Sequence, residues 1–187
     1  MRLILMYLLF IFCFLSCGLR AQEKQARDFI DGYFRDKEPV LYTNDIKANE
    51  YLYDQFKEAF SHDTLRNNRF EVKLVLTAEE RAFILKEASK PPEAIHIKYI
   101  SKKSRFIPRT ELDQVFKDKI FGWQKFNKEY GHGFYSFYSP IFLRDNTLCV
   151  FYVGYNCGLL CGNDEIGIYK KVNGKWIKWF TVYHSVS

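Results

Sequence analysis

Residues Leu148 to Tyr155 form a strand-length run that is apolar on both faces. Leu148, Val150 and Tyr152 would point one way, and Cys149, Phe151 and Val153 the other. Such a strand is central in its sheet and needs a cover on each side. Helices from the amino-terminal half supply one cover. The expected architecture is therefore α+β, with amino-terminal helices packed on a mostly antiparallel sheet that ends in a β-meander.

The end of the chain fixes a register. Asn173-Gly174 is a strong two-residue hairpin signal, because both turn positions require positive φ. Pairing Val172 with Lys175 sets Tyr169 opposite Lys178 and Ile168 opposite Trp179. One face then carries Ile166, Ile168, Ile177 and Trp179 and belongs to the core. The other carries Tyr169, Lys171, Trp176 and Lys178, with Lys171 close enough to Trp176 for a cation–π contact.

The first half reads mainly as helices. Phe29, Ile30, Tyr33 and Phe34 form one stripe over residues 25–34, and Tyr51, Leu52, Phe56 and Phe60 form another over 45–59. A strand follows at 70–76. Thr77-Ala78-Glu79-Glu80 is a capping box that starts a helix running to Ser89, before Pro91-Pro92. Residues 94–107 alternate as a further strand. Helical spacing returns after Thr110 and from Trp123 to Tyr130, and strands run from Gly133 to the end.

Arg2 precedes an unbroken apolar run of 13 residues, Leu3 to Leu15. A membrane-spanning helix needs about 20 residues, so this run suits the core of an export signal over residues 1–21 and predicts no transmembrane span in the mature chain. Cleavage after Gly18 or after Ala21 fits the small residues there. Phe14-Leu15-Ser16-Cys17 also resembles a lipobox, in which case the signal ends before Cys17 and that residue is a lipidation candidate. The expected location is periplasmic, secreted or lipid-anchored, with residues 22–187 forming one α+β domain. With 48% hydrophobic and 18% aromatic residues, the chain is rich enough in apolar side chains for a real core. Its formal charge of +6 falls to +4 when Arg2 and Arg20 leave with the signal, a modest surplus that does not mark a nucleic-acid partner.

Three cysteines lie beyond the signal. Cys149 sits in the apolar strand as a small hydrophobe. Cys157 and Cys161 flank a short connection in which Gly158 and Gly162 permit tight turning. An oxidising compartment favours a structural disulfide between them. A metal site lacks a second ligand pair, because Cys149, His132 and His184 show no ligand spacing, so no metal is expected. A redox pair would need two intervening residues rather than three.

The segment from Trp123 to Trp179 contains Ser139-Pro140-Ile141-Phe142, Val153-Gly154-Tyr155, Cys157-Gly158-Leu159-Leu160-Cys161-Gly162 and Gly174-Lys175-Trp176. It resembles the carboxy-terminal part of small exported bacterial proteins of unassigned function. The repeated Cys-Gly pair around two residues is its most specific element. The resemblance implies a shared fold element and no particular activity.

Candidate chemistry is sparse. No phosphate-binding glycine loop, serine elbow or paired zinc motif occurs, and no cofactor is implied. Of His62, His96, His132 and His184, only His132 is placed for function, in a turn between Gly131 and Gly133. Lys98, Lys102, Lys103, Arg105 and Arg109 form a cationic run without an acidic residue between Ala94 and Thr110, suited to an anionic lipid surface or glycan. Phe134-Tyr135-Ser136-Phe137-Tyr138 could present stacked rings to a carbohydrate, although rings on both faces require one set to be buried. The expectation is a non-catalytic envelope module that binds or supports. The alternative is a small hydrolase-like extracytoplasmic enzyme with a site near His132 and the Cys157–Cys161 loop.

Overall fold

The structure is a computed structural model describing residues 23–37, 39–43, 49–66, 73–90 and 104–186. Residues 1–21, expected to be an export signal, and the lipidation candidate Cys17 lie outside the described residues, as do Lys98, Lys102 and Lys103. Among the described residues no helix is long and apolar enough to cross a membrane.

The fold is α+β. Helix α1 covers residues 23–34. It is followed by β1 (Leu41–Thr43), α2 (Asn49–Ala59), β2 (Thr64–Arg66), β3 (Lys73–Val75) and α3 (Ala78–Ala88). Then come β4 (Arg105–Phe106), α4 (Arg109–Val115), α5 (Gly122–Glu129), β5 (Phe134–Phe137) and β6 (Ile141–Leu143). Three long strands close the chain: β7 (Leu148–Gly158), β8 (Cys161–Val172) and β9 (Lys175–Val186). The main sheet runs β4-β1-β5-β7-β8-β9, with β6 also paired to β7. β1 is parallel to β4 and β5, and the other pairings are antiparallel. The hairpin β2–β3 stands apart.

β7 is the central, doubly covered strand. Its Cys149, Phe151 and Val153 join Phe29, Ile30 and Phe34 of α1 in one cluster. Leu148, Val150 and Tyr152 join Leu52, Phe56 and Phe60 around α2, and Ile84 and Ala88 of α3, in a second. This is the period-two alternation of a strand, apolar on both sides. A third cluster, Ile107, Leu112, Val115, Phe126 and Phe134, seats α4 and α5 against the start of β5.

The terminal hairpin follows the expected register only near its turn. Asn173 and Gly174 have φ values of 49° and 78°, and Val172, Lys171 and Tyr169 face Lys175, Trp176 and Lys178. Beyond that the pairing shifts, and Ile168 faces Phe180 rather than Trp179. A bulge lets consecutive Trp179 and Phe180 both pack on the α2–α3 side. Ile177, expected in the core, is 47% exposed, while Tyr169 of the opposite face is buried beneath α1. Tyr51, placed on the apolar stripe of α2 by spacing, is exposed as well.

Candidate functional site

The turn carrying His132 is built into the sheet. The Tyr155 hydroxyl donates to the His132 carbonyl at 2.9 Å, tying the turn to β7. A Cβ at Gly133 (φ 74°) would meet the Asn156 carbonyl at 2.6 Å, so the close approach demands glycine. The His132 side chain itself is exposed. The contact that brings His132 to the cysteine hairpin is thus made by its backbone.

Cys157 and Cys161 are joined in a disulfide across the β7–β8 turn, leaving Leu159 and Leu160 exposed at its tip. Neither sulfur is a free nucleophile. Cys149, the free cysteine among the described residues, is buried, and burial holds its thiol well above the usual range. No group of three metal-ligating side chains is found among the described residues.

Of the cationic run, Arg109 is described and paired with Asp113, and Arg105 is described and engaged. Its guanidinium sits 3.1 Å from Glu111 Oε1 and 4.6 Å from the centre of the Tyr130 ring. The Tyr130 hydroxyl donates to the same carboxylate oxygen at 2.6 Å, and that bond, ahead of burial, pushes its pKa up to about 12. Arg105 therefore closes a local cluster. In the aromatic stretch Phe134, Phe137 and Tyr138 are buried, and Tyr135 is the ring left at a surface.

Tyr135 opens onto a groove of 980 Å³ along α1. Strand alternation places Tyr155 of β7 and Tyr169 of β8 on this face, and α1 brings Tyr33 over it. Trp176 lies beside Phe29, and the rings of Tyr135 and Tyr155 are 4.7 Å apart. The lining cations are Lys24, Arg35, Lys37, Lys171, Lys175 and Lys178, against three acids, Asp28, Asp145 and Glu165. Positive charge prevails in the groove.

Its polar groups are held firmly. The Lys37 ammonium lies 3.8 Å from the centre of the Tyr33 ring, and burial lowers its pKa. Lys178 Nζ lies 2.6 Å from Glu165 Oε2, whereas Glu165 Oε1 is buried without a hydrogen-bond partner. The side chains of Glu165 and Tyr169 lean over Gly167, where a Cβ would fall 3.0 Å from that oxygen and 2.8 Å from the Tyr169 ring. Burial raises the pKa of both Tyr33 and Tyr169, so their hydroxyls stay protonated at neutral pH. The groove thus combines ring faces, neutral hydroxyls, ammonium groups and one carboxylate with unused acceptor capacity.

Sequence spacing had set Tyr169, Lys171, Trp176 and Lys178 on one face without marking that face as the floor of a groove. Lys37 and Glu165 carried no signal, because their meeting depends on where α1 docks. No family model matches the chain, and neither the curated proteins nor the solved structures contain a match.

Proposed function

We propose that this chain is an exported envelope module that binds an anionic saccharide in the groove along α1. The observation that carries the reading is the pairing of an aromatic floor with an excess of cations over acids. Sugar rings stack on exposed aromatic faces through their C–H edges, and protonated hydroxyls and ammonium groups recognise hydroxyls and carboxylates. Export follows from a leader that runs over residues 1–21 or, if the lipobox is used, ends before Cys17, which then bears the lipid. The Cys157–Cys161 bridge suits the oxidising compartment that export leads to. The hydrolase-like alternative has less support, since the contact that ties the His132 turn to β7 is made by its backbone carbonyl and both hairpin sulfurs are bridged.

Calorimetric titration with an acidic uronic-acid oligosaccharide and a neutral oligosaccharide of equal length tests this. The acidic ligand should bind more tightly, and its affinity should fall as salt is raised. Replacing Lys37 and Lys175 together by Gln should weaken it tenfold or more. Equal affinity for the two sugars, or no loss in the double variant, would refute the proposal.

A further inference from the structure

The opposite face of the sheet holds a second cavity with different chemistry. It measures 590 Å³ and lies between α2 and the α4–α5 pair. That volume falls within the range of small-molecule sites, roughly 300–1,000 Å³. One wall is aromatic: Phe116 and Trp123 have ring centres 4.8 Å apart, and Trp123 and Phe134 5.9 Å. Leu52 of α2 lines the cavity as well.

Its floor is polar and turns on Gly154. A Cβ at that position would lie 2.5 Å from Asp164 Oδ1, 2.9 Å from Ser136 Oγ and 3.0 Å from the Tyr152 hydroxyl. Three side-chain oxygens from β5, β7 and β8 therefore crowd over one glycine, and any larger residue would displace them. Ser136 and Tyr152 are buried. The Tyr152 hydroxyl donates its proton to Asp164 Oδ1 at 2.8 Å. Burial, followed by the Asp164 charge, raises the tyrosine pKa and keeps that proton in place. Around Gly154 the capacity left to a ligand is that of acceptors, the phenolic oxygen, the carboxylate and one serine hydroxyl, while Arg109 and Lys119 also line the cavity. No ion pair to Asp164 occurs among the described residues, whereas Arg109 at the rim is paired with Asp113 at 2.7 Å.

We propose that this cavity is a binding site for a small primary organic amine, its ammonium on Asp164, Tyr152 and Ser136 and its apolar group against Trp123 and Phe134. An ammonium offers three donors to three oxygens and neutralises the carboxylate. The aromatic wall packs the ligand's apolar group. An alcohol of the same shape supplies one donor and no charge, and a carboxylate seated on the same three oxygens would be repelled by Asp164. The site is independent of the α1 groove, because it uses the other face of the strands.

Ligand-detected NMR with 2-phenylethylamine, 2-phenylethanol and phenylacetate, which differ in the head group, tests the proposal. The amine should bind at least tenfold more tightly than the alcohol, with phenylacetate weakest. Asp164→Asn keeps an oxygen for the Tyr152 hydroxyl and should abolish the preference while leaving acidic-saccharide binding unchanged. Amide shift changes in the wild type serve if that variant does not fold. They should centre on Ser136, Gly154 and Asp164. Equal binding of the three probes, no binding of the amine at millimolar concentration, shifts confined to the α1 groove, or a preference that survives in a folded Asp164→Asn protein would each overturn it.

Discussion

Glu80 shows how one side chain joins parts of the molecule that are distant in sequence. Its Oε2 accepts the Thr77 backbone N–H at 2.9 Å, while Thr77 Oγ1 accepts the Glu80 N–H at 3.1 Å, completing the capping box of α3. The same carboxylate takes Arg144 Nε at 2.7 Å, and Arg144 also donates to the Val75 carbonyl at 2.7 Å. The cap was legible in the sequence because its partners are three residues apart. The Arg144 clamp was not, because 64 residues separate it from Glu80. The Arg144 hydrogen bond, first among the causes, lowers the Glu80 pKa. A carboxyl whose folded-state pKa is lowered adds stability that is complete above its unfolded pKa, about 4.3, and lost as pH falls through the folded value. Glu80→Gln should therefore cost about 1 kcal/mol at pH 7, a modest figure because Arg144 is partly exposed. Urea unfolding should show the gap to wild type narrowing at pH 3. A gap that stays constant with pH would remove the charge from the explanation.

At the scale of elements, legibility followed the range of the interaction. The Asn173-Gly174 turn and the double burial of β7 are local patterns, and both appear as expected. The three-residue strands β1 and β2 escaped notice, because three residues carry too little alternation to signal a strand and their pairing comes from partners far along the chain. The shift in β9 was hidden for another reason. Strict alternation assumes no bulge, yet Trp179-Phe180 and Val182-Tyr183 are consecutive pairs that pack on the same core, and irregularities in register accompany both. Two glycines in this meander are needed for different physical reasons. At Gly154 the constraint is crowding. At Gly174 it is backbone conformation alone, since φ is 78° and a Cβ would meet nothing within 4 Å. Gly174→Ala should thus cost about 1–2 kcal/mol, the penalty of a left-handed L-residue, without changing the core. Thermal unfolding measures the loss, and an unshifted midpoint would mean that the turn had reorganised.

The whole molecule is a sheet covered on both sides, and its two covers are unequal. α2 and α3 share one face, helped by α4 and α5 at the β5 end, while α1 stands over the other. That single helix places Phe29, Ile30 and Phe34 against Phe137, Cys149, Phe151 and Tyr169, and it also forms one wall of the groove lined by Tyr135 and Trp176. The sequence made the stripe on α1 visible but not its position, since helical spacing reports which side is apolar and nothing about where it docks. Each fully buried large side chain contributes roughly 1.5–3 kcal/mol, and whole domains hold only about 5–15 kcal/mol of net stability. The fold should therefore tolerate removal of residues 1–21, read from the sequence as a leader, but not removal of α1. A chain beginning at Gln22 should unfold cooperatively at the midpoint of the full-length protein. Removal through residue 34 should abolish that transition and yield a species that binds hydrophobic dyes. Phe29→Ala, a milder step, should cost about 3–5 kcal/mol, because Phe29 meets Phe142, Phe151, Tyr169 and Trp176 edge-on and little can collapse into the space it leaves. An unchanged transition in the chain without α1 would mean that the opposite layer alone sustains the sheet, and the groove could then not depend on this helix for its shape.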